Sequence, residues 1–164
     1  MTDLPARSGS YRITRKLGEG GMGVVYAAVD EKLNRPVAVK TIRAAGSDPA
    51  TRERFWREAR AAASVNHPNV CQLYEIAEDA GELFLVMELL DGRPLSEQLQ
   101  AGPLTPHDAL STLLPVLAAL EALHGRGVVH RDLKPSNVFV TGHGIKLLDF
   151  GLARSVADDM AATT

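Results

Sequence analysis

The chain has 164 residues, 45% of them hydrophobic and 23% charged, with a formal net charge of −2. That is the make-up of a globular domain, without the basic surplus of a nucleic-acid-binding module, so no nucleic-acid partner is expected. A single cysteine, Cys71, excludes an internal disulfide and suits a reducing, cytoplasmic setting. No apolar run reaches the ~18 residues of a membrane span, Met1–Pro5 lacks the marks of a secretory leader, and the histidines show no zinc-ligand spacing.

Residues 1–10 read as an N-terminal tail. Tyr11, Ile13 and Leu17 partly alternate with polar residues, and Val24 to Val29 is apolar and β-branched. Two such runs around a glycine-rich turn predict an antiparallel hairpin. A third strand is expected over Val37 to Ile42. Asp48-Pro49 supplies a cap and a first-turn proline for a helix over about 49–64, with Phe55, Ala59, Ala62 and Val65 on its apolar face. Strands at Leu73 to Ala77 and Leu83 to Glu88, joined through residues 78–82, complete a five-stranded sheet with one helix.

After Asp91-Gly92 the pattern becomes helical. Leu95 to Gln100 predicts a short helix, and Thr105-Pro106 opens a long one ending near Leu123 or His124, before Gly125 and Gly127. Pro115 falls inside it, where proline costs roughly 3 kcal/mol. Burial of Leu113, Leu114, Val116, Leu117 and Leu120 is expected to offset that cost. Two short strands, Val138 to Val140 and Ile145 to Leu148, flank residues 141–144. The expected organisation is a β-rich lobe over 11–87, a hinge over 88–91 and an α-rich lobe from 92 onward, with a ligand cleft between lobes.

Gly18, Gly20 and Gly23 form a GxGxxG run, a weak signal alone. A dinucleotide site would place a strand before the glycines and a helix after them; here Val24-Val25-Tyr26 is a strand. Glycines at a hairpin tip leave backbone N–H groups free to approach phosphate oxygens. Lys40 ends an otherwise apolar strand. Glu58 lies three residues after Phe55 and four before Ala62, so a carboxylate shares the apolar face of its helix. A Lys40–Glu58 pair accounts for both placements, and a surface pair of Glu58 with Arg54 is the alternative.

The string His130-Arg131-Asp132-Leu133-Lys134-Pro135-Ser136-Asn137 is followed, after a short apolar strand, by Asp149-Phe150-Gly151. With the glycine run and Val37-Ala38-Val39-Lys40 upstream, these motifs resemble, in order and spacing, those of a protein kinase. The chain is similar to a serine/threonine protein kinase of the bacterial, eukaryotic-like type. That resemblance implies an α+β, two-lobe fold and transfer of the ATP γ-phosphate to protein serine or threonine hydroxyls. It implies Asp132 as the base, Lys134 at the γ-phosphate, and Lys40, paired with Glu58, at the α- and β-phosphates. Asn137 and Asp149 would hold Mg²⁺, or Mn²⁺ in its place. Leu17, Gly18, Glu19, Gly20, Gly21, Met22, Gly23, Val25, Ala38, Met87, Glu88, Leu89 and Phe139 would surround the nucleotide. Arg131 beside Asp132 implies switching by activation-segment phosphorylation, with Thr163, Thr164 and Ser155 as candidates.

Only thirteen residues follow Gly151. The alanine-proline-glutamate close of the family's activation segment is absent, so the expectation is the N-terminal part of a catalytic domain, truncated in that segment. Two functional classes follow from the sequence. One is a protein kinase acting on a protein substrate; the other is a catalytically inactive ATP-binding fragment or regulatory module. Either could rely on self-association or on a C-terminal partner.

Overall fold

A computed structural model of the chain describes residues 7–20, 23–42, 49–79 and 81–148. The expectations placed on Gly21, Met22, Asp48, Asp149, Phe150, Gly151, Ser155, Thr163 and Thr164 lie outside the described residues. The described chain falls into two compact units, one holding residues up to Trp56 and Leu73–Leu89, the other Arg57–Gln72 and the residues from Leu90.

The first unit is an antiparallel sheet. Its strands are β1 (Arg7–Ser8), β2 (Tyr11–Gly20), β3 (Gly23–Asp30), β4 (Arg35–Ile42), β5 (Leu73–Asp79) and β6 (Glu82–Glu88), in the order β1-β2-β3-β4-β6-β5. The five long strands are those expected from hydrophobic alternation. Two-residue β1 pairs with Tyr11 and Arg12, inside the segment read as a tail. The β5–β6 hairpin is tighter than expected because Asp79 pairs with Glu82 and Gly81 takes φ +85°, a left-handed conformation that glycine adopts without steric cost.

One face of this sheet carries the hydrophobic core. Tyr11, Ala28, Val37, Val39, Phe84 and Val86 are buried there, with Ile13 and Ala77 packed against them. The Tyr11 and Phe84 rings meet edge to face, 6.2 Å between centroids. The Tyr11 hydroxyl donates a short hydrogen bond to Glu75 Oε2. Burial, that bond and the nearby charges of Glu75 and Asp30 raise the Tyr11 pKa well above its ordinary 10.0.

Helix α1 (Pro49–Ala63) runs from the first unit into the second. Its expected apolar positions Phe55, Ala59 and Ala62, and Val65 beyond it, are all buried. The second unit adds β7 (Gly92–Pro94), α2 (Leu95–Gln100), α3 (Pro106–His124), β8 (Val138–Thr141) and β9 (Gly144–Leu147). Strand β7 was not foreseen: three residues without apolar alternation carry no strand signal. It forms because Gly92 lets the backbone close on β8, where a Cβ would fall 2.4 Å from the Val140 carbonyl. The segment Asn69–Cys71 runs beside β9. Leu147 donates to the Asn69 carbonyl at 2.8 Å, Cys71 donates to the Leu147 carbonyl at 2.9 Å, and Asn69 Nδ2 donates to the Ile145 carbonyl at 2.8 Å.

Helix α3 starts as expected, with Thr105 Oγ1 accepting from the Asp108 amide and Pro106 in the first turn. The expected burial around Pro115 needs correction. Val116 is buried, together with Thr112, Ala119 and Leu123, but Leu113, Leu114 and Leu117 are more than half exposed. Helical phase explains the difference. Positions 112, 116, 119 and 123 form one inward stripe, and an apolar arc wider than about 100° cannot all face it. Burial of the neighbouring leucines therefore does not offset the cost of Pro115 in this unit. Among the described residues no helix is long and apolar enough to cross a membrane.

Two measurements check this packing. In urea titrations Leu123→Ala should lower stability by about 2–5 kcal/mol, whereas Leu114→Ala should stay within about 0.5 kcal/mol. The raised Tyr11 pKa stabilises the fold below the ordinary tyrosine value and ceases to do so as pH climbs toward the folded value. The stability gap between the wild-type chain and Tyr11→Phe should therefore be constant up to about pH 9 and shrink above about pH 10.

Candidate active site

The register of the first unit gathers four of the sequence-marked residues on one sheet face. Val25 lies opposite Lys40, and Ala38 lies opposite Met87. Ala38 and Lys40, two positions apart on β4, point the same way, away from the core-facing Val37 and Val39. Lys40 is only 6% exposed, so its ammonium group is not a solvated strand end. Glu88 ends β6 opposite Val37, and half-buried Leu89 follows it.

The glycines divide by what surrounds them. Gly23 has φ +141°, and a Cβ there would lie 1.8 Å from the Thr41 carbonyl, so β4 itself excludes a side chain. Thr41 Oγ1 also ties the returning strand, accepting from the Val24 amide at 3.1 Å. Gly18 and Gly20 have open space where a Cβ would stand. No packing partner among the described residues requires glycine at either position. Leu17 is partly exposed beside them, and Glu19 is paired with Lys16 at 2.5 Å.

In the second unit the loop from His130 to Asn137 is fastened at both ends. Buried His130 places Nε2 2.7 Å from the Leu148 carbonyl. A carbonyl only accepts, so Nε2 carries the proton; the Asp132 amide donates to the His130 backbone carbonyl at 2.8 Å and, more weakly, to Nδ1 at 3.3 Å. At the other end, the Leu148 amide donates to the Asn137 carbonyl at 2.8 Å, just past β9. The expected strand ended at Leu148; its hydrogen bonds go to the loop instead.

Between these ties lies the charged centre. Asp132 Oδ2 accepts from Lys134 Nζ at 2.8 Å and from Asn137 Nδ2 at 3.1 Å, and the same Nδ2 donates to the Asp132 carbonyl at 2.9 Å. Asn137 is buried in a one-turn 3-10 helix, Pro135–Asn137. Both of its amide hydrogens go to Asp132, and its Oδ1 takes no part in that contact. Phe139, two residues on, sits half-buried in β8. Among the described residues no three His, Cys, Asp or Glu side chains gather as a metal site.

Glu58, in the last turns of α1, is only 25% exposed, and Arg131 Nη1 lies 3.3 Å from both of its carboxylate oxygens. This contact was not anticipated. It joins residues 73 positions apart, beyond the reach of helical spacing rules. Arg131 also has φ +59°, in the left-handed region. A neighbouring pair of opposite charges with one unusual backbone conformation leaves no periodic trace in a sequence.

Residues 11–164 match the family model described as the protein kinase domain. The chain is 45% identical over 157 residues to a probable serine/threonine-protein kinase of Streptomyces coelicolor, covering 92% of this chain and 23% of that protein. It is 43% identical to the serine/threonine-protein kinase PknA of Mycobacterium tuberculosis, covering 91% of this chain and 36% of that one. The chain thus spans well under half the length of these curated relatives. Among solved structures, the PknI kinase domain of Mycobacterium tuberculosis superposes with a TM-score of 0.82 at 31% identity, over 92% of this chain and 64% of that one. With the family model spanning all but the first ten residues, the chain belongs to the protein kinase domain family.

Proposed function

We propose that the chain forms the ATP-binding and catalytic-loop part of a serine/threonine protein kinase, transferring the γ-phosphate of Mg-ATP to hydroxyls of a protein substrate. The observation that carries this reading is the Asp132 carboxylate held between Lys134 and Asn137. Phosphoryl transfer depends mostly on positioning and charge stabilisation, and a carboxylate held by an amide and by a half-exposed ammonium group suits both.

In this reading Asp132 orients the acceptor hydroxyl and takes its proton as the oxygen bonds to the γ-phosphorus. The bond from that phosphorus to the bridging oxygen breaks, and ADP leaves. Lys134, half-exposed, shifts its charge toward the γ-phosphate while remaining near Asp132. Lys40 steadies the α- and β-phosphates with Glu58 as its counter-charge. The bare backbones of Gly18 and Gly20 admit phosphate oxygens. Val25, Ala38 and Met87, sharing Lys40's sheet face, offer an apolar bed for the adenine, and the Glu88 and Leu89 backbone its polar edge.

Asn137 suits a hard cation because its amide oxygen takes no part in the bonds to Asp132; Asp149 would add a carboxylate. When bound, Mg²⁺ supplies neutralisation of the β- and γ-phosphate oxygens. The partner is a protein bearing serine or threonine. A lone buried cysteine, Cys71, fits a reducing cytoplasmic setting.

Transfer of labelled γ-phosphate to a generic basic protein tests this reading. Asp132→Asn should reduce incorporation by about 10²–10⁴-fold while leaving nucleotide affinity within about twofold. Equal turnover in the variant removes Asp132 from its role, and no incorporation by a folded wild-type chain favours the inactive ATP-binding module. Asp149→Ala should weaken Mg-ATP far more than metal-free ATP in calorimetric titrations; equal losses would argue against metal ligation.

A further inference from the structure

Strand β7, helix α2 and the turn after β8 enclose a cavity of about 610 Å³ in the second unit, lined by none of residues 130–137. One wall is the β7–β8 ladder, where Arg93 stands directly opposite Val140 and so shares its sheet face. The other wall is α2, which presents Glu97 and, at its end, Ala101. Both walls are firm: Gly92 closes on β8 with no room for a Cβ, and buried Leu95 anchors α2. Three charged residues line the space, Asp91, Arg93 and Glu97, and all three are exposed. None of their side chains has a hydrogen-bond or ion-pair partner among the described residues. Arg93 lies within four positions of both acids, yet pairs with neither. Unpaired charges around a concave surface are available to a ligand.

The mixture of signs decides what that ligand is. A free anion meets two carboxylates and a hard cation meets the guanidinium, so each is repelled in part. Nucleic acid is disfavoured for the first of these reasons. An apolar ligand would desolvate three charges and pair none of them. Strand addition along the open edge of β7 is limited, because Pro94 has no N–H to donate. What fits is a ligand carrying both charges and read by side chains. A small zwitterion would stay largely wet among exposed residues, whereas a protein segment brings further surface with it. We propose that this cavity anchors an extended segment of a partner protein in which a lysine or arginine stands close to an aspartate or glutamate. The cation goes to Asp91 and Glu97, and the anion to Arg93. Residues two apart in an extended chain point the same way, roughly 7 Å from each other, so a basic-x-acidic spacing presents both charges together. Val140 and Ala101 offer apolar surface to the stems of those side chains. The inference does not depend on the roles given to Asp132 or Lys40.

Backbone amide NMR of the whole chain, titrated with four capped heptapeptides, tests the site. The peptides are glycine and alanine except for a lysine and a glutamate two positions apart, with glutamine replacing neither, either or both. The peptide with both charges should shift the amides of Arg93, Gln98 and Thr141 and leave the strands of the first unit unmoved. Replacing one charge by glutamine should weaken binding by about two- to fivefold, the worth of an exposed ion pair. The neutral peptide should bind most weakly. Arg93→Glu should reverse the preference, so that the peptide with lysine alone binds more tightly than the one with both charges. Glu97→Lys should make the glutamate-only peptide bind more tightly than the lysine-only one, and it serves as the reversal if the first variant does not fold. Equal shifts from all four peptides, shifts scattered over other surfaces, or no shift from any peptide at millimolar concentration would overturn the site. So would an unchanged preference in both variants, because the charges at positions 93 and 97 would then not be read.

Discussion

The hydrogen bonds of one buried imidazole set the conditions for everything else in the second unit. His130 gives its Nε2 proton to the Leu148 carbonyl, and the Asp132 amide bonds to its backbone carbonyl at 2.8 Å and more weakly to Nδ1 at 3.3 Å. A buried ring with both nitrogens engaged can take only one orientation and one tautomer. Because its partners lie just past β9 and at Asp132, this residue, through its ring and its carbonyl together, converts the rigidity of a β-ladder into the placement of a carboxylate. The return bond from the Leu148 amide to Asn137 closes the loop on the same strand end. Asp132, Lys134 and Asn137 therefore hang from a fixed frame, and their mutual distances of 2.8 to 3.1 Å follow from it. Strand β9 is itself held by β8 and by the Asn69–Cys71 segment, so several backbone bonds support each polar contact at the centre.

The first unit solves a different problem with the same economy of parts. One sheet face is apolar core; the other must carry a buried ammonium group, which is costly unless charge or polar partners compensate it. Strand alternation allows both, because Val37 and Val39 point one way while Ala38 and Lys40 point the other. Small Ala38 beside Lys40 keeps that second face shallow. The glycines differ in setting as well as position: the Thr41 carbonyl demands Gly23, while no described residue crowds Gly18 or Gly20.

Much of this was legible in the residues. Strands and helices with clear periodicity or caps came out nearly to the residue, as with Leu95–Gln100 and the Thr105-capped α3, because local propensity and tertiary packing agree there. The residues of the charged centre were legible because Asp132, Lys134 and Asn137 lie within six positions of one another. Three features were not. The phase of α3 was ambiguous because leucines occupy nearly its whole circumference, and only the packed structure chooses Val116, Ala119 and Leu123 over Leu113, Leu114 and Leu117. Strand β7 owes its existence to a partner nearly fifty residues away. The Glu58–Arg131 contact joins distant segments through two side chains with nothing periodic about either.

The central claim is that the loop from His130 to Asn137 is preorganised by its own unit, ahead of any ligand. Backbone amide hydrogen exchange of the nucleotide-free chain, resolved by residue, tests it most directly. The amides of Asp132 and Leu148 are predicted to exchange as slowly as the strand amide of Leu147, and far more slowly than that of exposed Leu133. Exchange of Asp132 and Leu148 at the rate of Leu133 would contradict the account, since a loop that opens so freely could not hold Asp132 in place.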